Sequence, residues 1–252
     1  MMEQPKVLVA CPTYDGKNYC IEDWMKLIQN MKYNNYDILI VDNTNDGGKN
    51  AEWMADYFDI EVIHHYRDDI ALNEVMAECN NIIRDRVLEE GYDFLMSIES
   101  DVFPPDTIIP RLMNHQKLVA SAMYEIGLGD YRYPLIQIVE PEEGEEGTGM
   151  VRQLHWGEMM NFINAGLKRV HGCGIGCSLI HKDVLEQYPF RTDPEYSTHA
   201  DSYFYMDLWN AGLPVYLDTD LLCRHKNTDW EVVYKNREKD FKRTFKTTNR
   251  EK

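Results

Sequence analysis

The stretch FLMSIESDVFPPD, residues 94–106, places acidic side chains directly after an apolar segment. Phe94 to Ile98 has the composition of a buried strand. Glu99 and Asp101 are two positions apart, so on an extended backbone they face the same side. Two carboxylates on one side of a strand end can bind a hard divalent cation such as Mg²⁺ or Mn²⁺. The alternative is an exposed acidic turn before the next helix, and this stretch alone does not decide between them.

Four segments within the first 100 residues are apolar or β-branched and are typical of buried strands. They are KVLVACP (6–12), YDILIVDN (36–43), IEVIHHY (60–66) and YDFLMSI (92–98). Apolar residues recur at helical spacing between them, around 21–31, 50–58 and 72–87. This alternation predicts an α/β fold, Rossmann-like, with a mostly parallel central sheet flanked by helices.

Polar side chains follow the ends of three predicted strands. Ligands of open parallel sheets bind beyond the carboxyl ends of the strands, so these side chains should meet at one edge. They are Thr13, Tyr14 and Asp15 after the first strand, Asp42 and Asn43 after the second, and Glu99, Ser100 and Asp101 after the fourth. The acidic cluster is therefore predicted to stand where a ligand is held.

The C-terminal half continues the alternation. Helices are predicted within 106–115, 182–189 and 201–211, and strands within 117–124, 176–181 and 213–225, with a helix stop at Gly212. Residues 140–150, EPEEGEEGTGM, are predicted to form an acidic loop. We predict one domain over residues 1–229 and a basic, helical C-terminal tail over residues 230–252.

The charge of the chain is uneven. The formal net charge is −17, which argues against broad binding of nucleic-acid phosphates. Residues 234–252 nevertheless contain eight Lys or Arg against three acids. This tail could contact a polyanion or an anionic membrane, and we favour the simpler interpretation of a solvated terminal helix.

The cysteine pattern predicts reduced, buried thiols in a cytoplasmic protein. The six cysteines, mostly within apolar segments, are Cys11, Cys20, Cys79, Cys173, Cys177 and Cys223. No segment has the length of a membrane span, and the N-terminal apolar run is too short for a signal peptide. We therefore expect no stable insertion into a membrane.

Five motifs together resemble those of the GT-A glycosyltransferases, especially the family 2-like group. In order they are CPTYDG (11–16), ILIVDNTNDG (38–47), SIESDVFPPD (97–106), GCGIGCSLIHKDVLE (172–186) and ADSYFYMDLWNAGLPVYLDTDLLCRH (200–225). Each motif is short, and their shared order and spacing make the resemblance specific. The resemblance implies a GT-A fold and metal-dependent transfer of a sugar from a nucleotide-sugar donor, with a UDP-sugar favoured, to an acceptor hydroxyl.

The resemblance also implies roles for individual side chains. Asp101, His225 and Glu99 would bind Mn²⁺ or Mg²⁺, and the imidazole favours Mn²⁺. Asp201 would accept the proton of the acceptor hydroxyl, and direct displacement would invert the anomeric carbon. The residues expected to bind the donor nucleotide are Thr13, Tyr14, Asp15, Asp42, Arg84 and Ser100.

Three of these donor-binding expectations are specific. Tyr14 would stack on a uracil ring, and Asp42 would accept the N–H of that base. Arg84 would face the diphosphate, with a surface salt bridge as the alternative that we favour. The family pattern is broken at two positions, since Glu99 replaces the usual Asp, and Ala200 replaces the Glu of a Glu-Asp pair.

Other functions fit parts of the sequence. Sugar-1-phosphate nucleotidyltransferases share a similar nucleotide-binding half, but CPTYDGKNY (11–19) lacks their Gly-rich loop with Arg and Lys. Ala200 keeps open a degenerate sugar-binding relative without catalysis. Four residues have side chains that could bind zinc: His171, Cys173, Cys177 and His181. A continuous strand would hold them in a row and could not place them around an ion, so we interpret them as structural.

The acceptor is open between two classes. One is a saccharide or lipid-linked glycan, and the other is a hydroxymethylated base in DNA, as in some viral modification enzymes. For DNA, the tail would supply backbone contacts and stacking. The aromatic residues available for stacking are Trp230, Tyr234, Phe241 and Phe245.

If DNA is the acceptor, deletion of residues 234–252 should abolish transfer to DNA, because this segment carries the positive charge that would neutralise phosphates. The measurement is transfer of labelled sugar to duplex and single-stranded DNA that contain hydroxymethylated bases. Full activity without the segment would exclude this role for the tail.

Overall fold

The computed structural model of the chain describes residues 4–128, 131–141, 149–154, 158, 161–193 and 199–226. Up to residue 98 the chain alternates strands with helices, as predicted. The strands are β1 (Val7–Thr13), β2 (Tyr36–Asp42), β3 (Glu61–His64) and β4 (Phe94–Ile98). The helices are α1 (Asn18–Ile28), α2 (Lys49–Phe58) and α3 (Leu72–Glu89), and a short 3₁₀ turn (Asp15–Lys17) joins β1 to α1.

The second half of the chain contributes shorter helices and the remaining strands. The helices are α4 (Ile108–Met113), α5 (Lys182–Gln187) and α6 (Ala200–Asn210). The strands are β5 (Val102–Phe103), β6 (Val119–Leu128), β7 (Tyr131–Pro134), β8 (Gln137–Pro141), β9 (Gly149–Gln153), β10 (Leu167–Val170), β11 (Cys177–His181) and β12 (Val215–His225). Gly212 has φ of 71°, a conformation that favours glycine, and it ends the last turn after α6 as the sequence indicates.

The main sheet has the strand order β10-β12-β6-β11-β4-β1-β2-β3. The pairs β1–β2, β1–β4, β2–β3 and β6–β12 are parallel. β11 is antiparallel to both β4 and β6, so β6 and β12 point in the same direction as β1 to β4. Six strands therefore end at the same edge, and the prediction of an α/β fold with a mostly parallel sheet is confirmed.

The core lies on both faces of this sheet. Along β1, Val7 and Val9 belong to the cluster formed with α1, α2 and α4, whereas Leu8 and Ala10 belong to the cluster formed with α3, α5 and α6. This alternation follows from the two-residue period of a strand. A strand covered on both faces needs apolar residues at nearly every position, which is why β1 is an uninterrupted apolar run.

After the first four strands, the structure agrees less completely with the sequence predictions. Residues 140–150 were expected to form a loop, but Glu140 and Pro141 belong to β8, and Gly149 and Met150 belong to β9. The two strands pair with each other as an antiparallel ribbon. The hydrogen bonds between paired strands do not depend on apolar side chains. The predicted loop was therefore too long, because its boundaries were set from acidic composition alone. The predicted tail lies outside the described residues.

All six cysteines are buried and free, as expected from their apolar surroundings. Among the helices that the structure describes, none combines the length and apolar character needed to cross a membrane.

Asp218 joins helix α4 to strand β12. Its side chain is 2% exposed, and its carboxylate accepts hydrogen bonds from Arg111 Nε at 2.8 Å and from the His115 ring at 2.9 Å. Burial alone would raise the pKa of Asp218, but the contacts with Arg111 and His115 outweigh burial and hold this pKa below its ordinary value. The carboxylate is therefore charged and stabilises the folded chain.

Replacing Asp218 by Asn should lower the free energy of unfolding by about 2 kcal/mol near neutral pH, because charge-assisted hydrogen bonds are lost. The folded-state pKa is depressed, so this contribution is present above the unfolded value of about 4 and disappears as the pH falls through the folded-state pKa. Urea unfolding of both proteins at several pH values measures the difference. The exposed Asp56→Asn substitution is the control, and a difference that grows on acidification would contradict the prediction.

Candidate functional site

A cavity of about 780 Å³ opens at the carboxyl ends of β1, β2 and β4. Its walls come from three strand ends and from the segment that leads into α3. The lining residues used below are Thr13, Tyr14, Asp15 and Lys17 after β1, Asn43 and Thr44 after β2, Glu99, Ser100 and Asp101 after β4, and Tyr66, Arg67 and Met76. The prediction that the side chains at the ends of β1, β2 and β4 meet at one edge is thus correct for most of these residues.

The turn after β1 is fixed to its two neighbouring strands. The hydroxyls of Thr13 and Ser100 are 2.9 Å apart and hydrogen-bond across β1 and β4. The Asp15 amide donates to Thr44 Oγ1 at 2.9 Å. The ring of Tyr14 remains 44% exposed at the cavity wall, and a Cβ on Gly16 would overlap that ring. The turn therefore presents an aromatic face on a rigid support.

Glu99, Asp101 and His225 form the acidic centre of the site. Their potential ligand atoms all lie within 4.8 Å of one another. β5 pairs with the end of β12 and places His225 opposite Val102, which brings the imidazole beside the acidic turn. His225 Nε2 is 3.1 Å from Asp101 Oδ2, while Nδ1 donates to the Glu125 carbonyl at 2.7 Å. That second contact fixes the ring and aims Nε2 at the carboxylate.

Lys17 also contacts Asp101, because its Nζ pairs with the same Oδ2 atom that faces His225. Burial lowers the pKa of Lys17, but Asp101 outweighs burial and raises it above its ordinary value. Burial raises the pKa of Asp101, but His225 and Lys17 outweigh it and hold that pKa low. Glu99 differs, since burial and then the charge of Asp101 raise its pKa. The two carboxylates are thus close enough that the charge of Asp101 disfavours ionisation of Glu99.

Asp201 lies in the first turn of α6, next to this centre. Its Oδ1 accepts the amide N–H of Ser202 at 2.8 Å. Burial raises the pKa of Asp201, and the carboxylate is near enough to Glu99 to raise the pKa of that residue too. Ala200, which stands where the family pattern has Glu, is buried in the core. Asp201 therefore lies near Glu99, although it is not among the residues that line the cavity.

The Gly-rich turn of residues 172–177 packs directly against the acidic centre. A Cβ on Gly174 would overlap the Tyr124 hydroxyl, and a Cβ on Gly176 would lie 2.7 Å from a Glu99 carboxylate oxygen. The Tyr124 hydroxyl accepts the Gly176 amide N–H at 3.2 Å. The glycines therefore permit close packing around Glu99 and Tyr124.

The structure corrects the donor-binding expectation for Asp42 and, for Arg84, bears out the favoured alternative of a salt bridge. Asp42 is completely buried: its Oδ1 accepts hydrogen bonds from Thr44 and Asn50, and its Oδ2 is buried without a hydrogen-bond partner in the described part of the chain. Asp42 therefore supports Thr44 from below the cavity. Arg84 pairs with Asp85 Oδ1 at 2.6 Å, which is the kind of salt bridge favoured from the sequence. It also donates to the carbonyls of Leu185 and Glu186, so it joins α3 to α5 instead of facing the cavity.

The four residues considered for zinc do not lie on one continuous strand, because β11 contains Cys177 and His181 whereas His171 and Cys173 precede it. His181 caps α5, and the buried Cys177 lies 3.7 Å from Cys223. Within the described ranges, a second group of possible ligands is Asp42, Asp46 and His64. Asp46, however, accepts three backbone N–H groups at the start of α2 and is occupied in capping that helix.

Several residues of the site escaped the sequence analysis. Lys17 follows the first-strand turn directly, and a basic side chain among acidic strand ends was the signal that could have identified it. Thr44, Tyr66, Arg67 and Met76 carry no comparable signal, because only the tertiary fold brings them to the cavity, from the loops after β2 and β3 and from α3.

Comparison with known proteins finds solved structures with a similar fold. No family model matches the chain, and no curated protein matches it in sequence. Solved structures do match: the mannosyltransferase PcManGT from Pyrobaculum calidifontis, in complex with GDP-Man and Mn²⁺, has a TM-score of 0.56 and 15% identity over 89% of this chain and 57% of that one. GalNAc-T7 with UDP, GalNAc and Mn²⁺ has a TM-score of 0.61 and 9% identity over 90% of this chain and 45% of that one.

A third match is TarS of S. aureus in complex with UDP-GlcNAc, with a TM-score of 0.54 and 11% identity over 88% of this chain and 59% of that one. The chain spans about half of the length of the solved structures that it resembles. Identities this low show the fold alone, and the predicted GT-A fold is confirmed.

Replacing Gly174 by Ala should destabilise the chain by about 1–3 kcal/mol, because the new methyl group overlaps the Tyr124 hydroxyl. The cost should be smaller in a Tyr124→Phe background, where the overlapping oxygen is absent. Thermal or urea unfolding of the four proteins in this double-mutant cycle measures the coupling. Equal costs of Gly174→Ala in both backgrounds would show that the two side chains do not compete for the same space.

Proposed function

We propose that the chain is a metal-dependent glycosyltransferase that moves a sugar from a nucleotide-sugar donor, with a UDP-sugar favoured, to an acceptor hydroxyl. The observation that carries this proposal is the contact of Asp101 with His225 at the wall of a cavity that Glu99 also lines. The cavity volume of about 780 Å³ is within the range of small-molecule sites. The matched structures that contain GDP-Man, UDP or UDP-GlcNAc support the same class of donor.

The nucleotide would bind along the turn after β1. Tyr14 offers an exposed ring for stacking on the base. Asp15 also lines the cavity, and the hydrogen-bonded hydroxyls of Thr13 and Ser100 are at its wall. Asp42 would act indirectly, because it holds Thr44 in place.

The acidic centre fits a divalent cation. Adjacent ligands of an octahedral ion with bonds of about 2.1 Å lie about 3.0 Å apart, and Asp101 Oδ2 and His225 Nε2 are 3.1 Å apart. The Lys17 ammonium already stands at this carboxylate as a cation. Asp101 and His225, with Glu99, would hold Mn²⁺ or Mg²⁺, which when bound neutralises charge on the departing diphosphate.

The side chains themselves perform the remaining steps. His225 Nδ1 donates to the Glu125 carbonyl, so the neutral ring keeps its lone pair on Nε2. Asp201 would accept the proton of the acceptor hydroxyl, and its raised pKa suits a general base. Direct attack on the anomeric carbon would invert its configuration.

The six buried thiols favour a reducing compartment such as the cytoplasm.

A panel of sugar nucleotides, each with and without Mn²⁺, should identify the donor by thermal shift. A ligand at about 100 times its Kd adds about 2.7 kcal/mol of stability, which corresponds to roughly 5–10 °C for a chain of this size. Asp101→Asn should remove the dependence of this shift on Mn²⁺, because the carboxylate that faces both His225 and the cavity is lost. Equal shifts of the wild-type protein with and without Mn²⁺ would contradict metal dependence.

Asp201→Asn is the companion variant for the chemical step. It should preserve the thermal shift with donor and Mn²⁺, but lower donor hydrolysis and transfer by at least about 100-fold. Donor binding without any hydrolysis by the wild-type protein would instead favour a sugar-binding relative that lacks catalysis.

A further inference from the structure

Two side chains, those of Lys17 and His225, converge on a single oxygen atom of Asp101. Asp101 Oδ2 lies 3.1 Å from His225 Nε2 and is also paired with Lys17 Nζ. The Asp101 side chain is only 3% exposed, and that of Lys17 is 24% exposed. Water therefore screens this ion pair weakly, and the pair is stronger than one at the protein surface.

Lys17 reaches Asp101 from the wall of the cavity. It ends the 3₁₀ turn after β1 and lines the cavity together with Thr13, Tyr14 and Asp15. Its backbone is held independently of the side chain, since its amide donates to the Tyr14 carbonyl at 2.9 Å. The ammonium can thus change its partner without disturbing the turn that carries it.

A divalent cation at Asp101 and His225 would meet the ammonium at the same carboxylate oxygen. Like charges only a few ångströms apart in a poorly solvated site repel strongly, so Lys17 would have to leave Asp101 when the cation binds. The anion that enters the same cavity in the proposed function is the diphosphate of the donor, and an ammonium binds phosphate oxygens well.

We propose that Lys17 is an exchangeable counter-ion: it neutralises Asp101 while the cavity is empty and transfers to the diphosphate of the donor when a divalent cation takes its place. This inference rests on the proposed function. It assigns to Lys17 a contact with the nucleoside diphosphate. It also makes binding of the cation and of the nucleotide cooperative, because each ligand relieves the cost that Lys17 imposes on the other.

Cooperativity of this kind is reciprocal, so it can be measured from either ligand. In the wild-type protein, Mn²⁺ alone must displace an ammonium from a buried carboxylate, whereas with nucleotide present the ammonium has another partner. Removing the charge of Lys17 should therefore strengthen the binding of Mn²⁺ alone and weaken the binding of UDP. A residue that merely orients Asp101 would instead weaken the binding of both ligands when it is removed.

The test compares the full chain with its Lys17→Met variant. Mn²⁺ binding is followed by the EPR signal of the free ion, without and with UDP, and UDP binding is followed by calorimetry. We expect Lys17→Met to tighten Mn²⁺ binding without UDP by roughly ten-fold, to weaken UDP binding by a similar factor, and to reduce the coupling between them; typical couplings are about 5–150-fold. Neither readout requires turnover.

Three further variants make the comparison specific. Lys17→Arg keeps the charge and should retain the wild-type coupling. Lys26→Met removes an exposed charge in α1, outside the cavity, and should change neither affinity. Lys17→Gln is measured alongside Lys17→Met, so that one uncharged variant is available even if the other does not fold.

The outcomes separate this inference from the proposed function. Failure of the wild-type protein to bind Mn²⁺ and nucleoside diphosphates would overturn the proposed function, and this inference with it. If the wild-type protein binds both, but the uncharged variants bind Mn²⁺ alone equally or more weakly, Lys17 is not a competing counter-ion, and the proposed function stands without it.

Discussion

The buried carboxylate of Asp101 is the constraint on which the site depends. Removing a carboxylate from water costs several kcal/mol unless cations or hydrogen-bond donors offset the loss. Here the partners come from opposite parts of the chain, since Lys17 follows the first strand and His225 ends the last. The folded chain must hold these three positions together, and the sheet edge where β1, β4 and β12 end and β5 begins is the structure that does so.

The surroundings of Glu99 show how closely the rest of the fold is fitted to this centre. β11 runs antiparallel between β4 and β6, so the Gly-rich turn that precedes it returns to the acidic edge. Gly174 and Gly176 leave room for Tyr124 and Glu99, and any larger residue would occupy the same space. As a result, burial and the charge of Asp101 together raise the pKa of Glu99, the second carboxylate of the centre. A site with this excess of acid is suited to a cation.

Sequence reasoning located the acidic edge but misjudged Asp42, because the direction and exposure of a side chain depend on tertiary packing. Asp42 ends an apolar strand just as expected, but the loop that follows folds over it and leaves Thr44 at the cavity in its place. Arg84 makes a salt bridge with Asp85, as favoured from the sequence, but its contacts with the Leu185 and Glu186 carbonyls also join α3 to α5. Neither outcome is encoded in the spacing of the residues, because each depends on which neighbour covers the side chain.

The sequence by itself determined the alternation of strands and helices, the shared edge of the strand ends, the acids at residues 99 and 101, and the final strand that ends at His225. These features follow from local periodicity and from the polarity of adjacent residues. Only the tertiary structure decided that Lys17 and His225 contact the same oxygen of Asp101, and that Asp42 lies below the cavity. Contacts between residues so distant in the chain are set by strand order, register and loop closure, which no local pattern specifies.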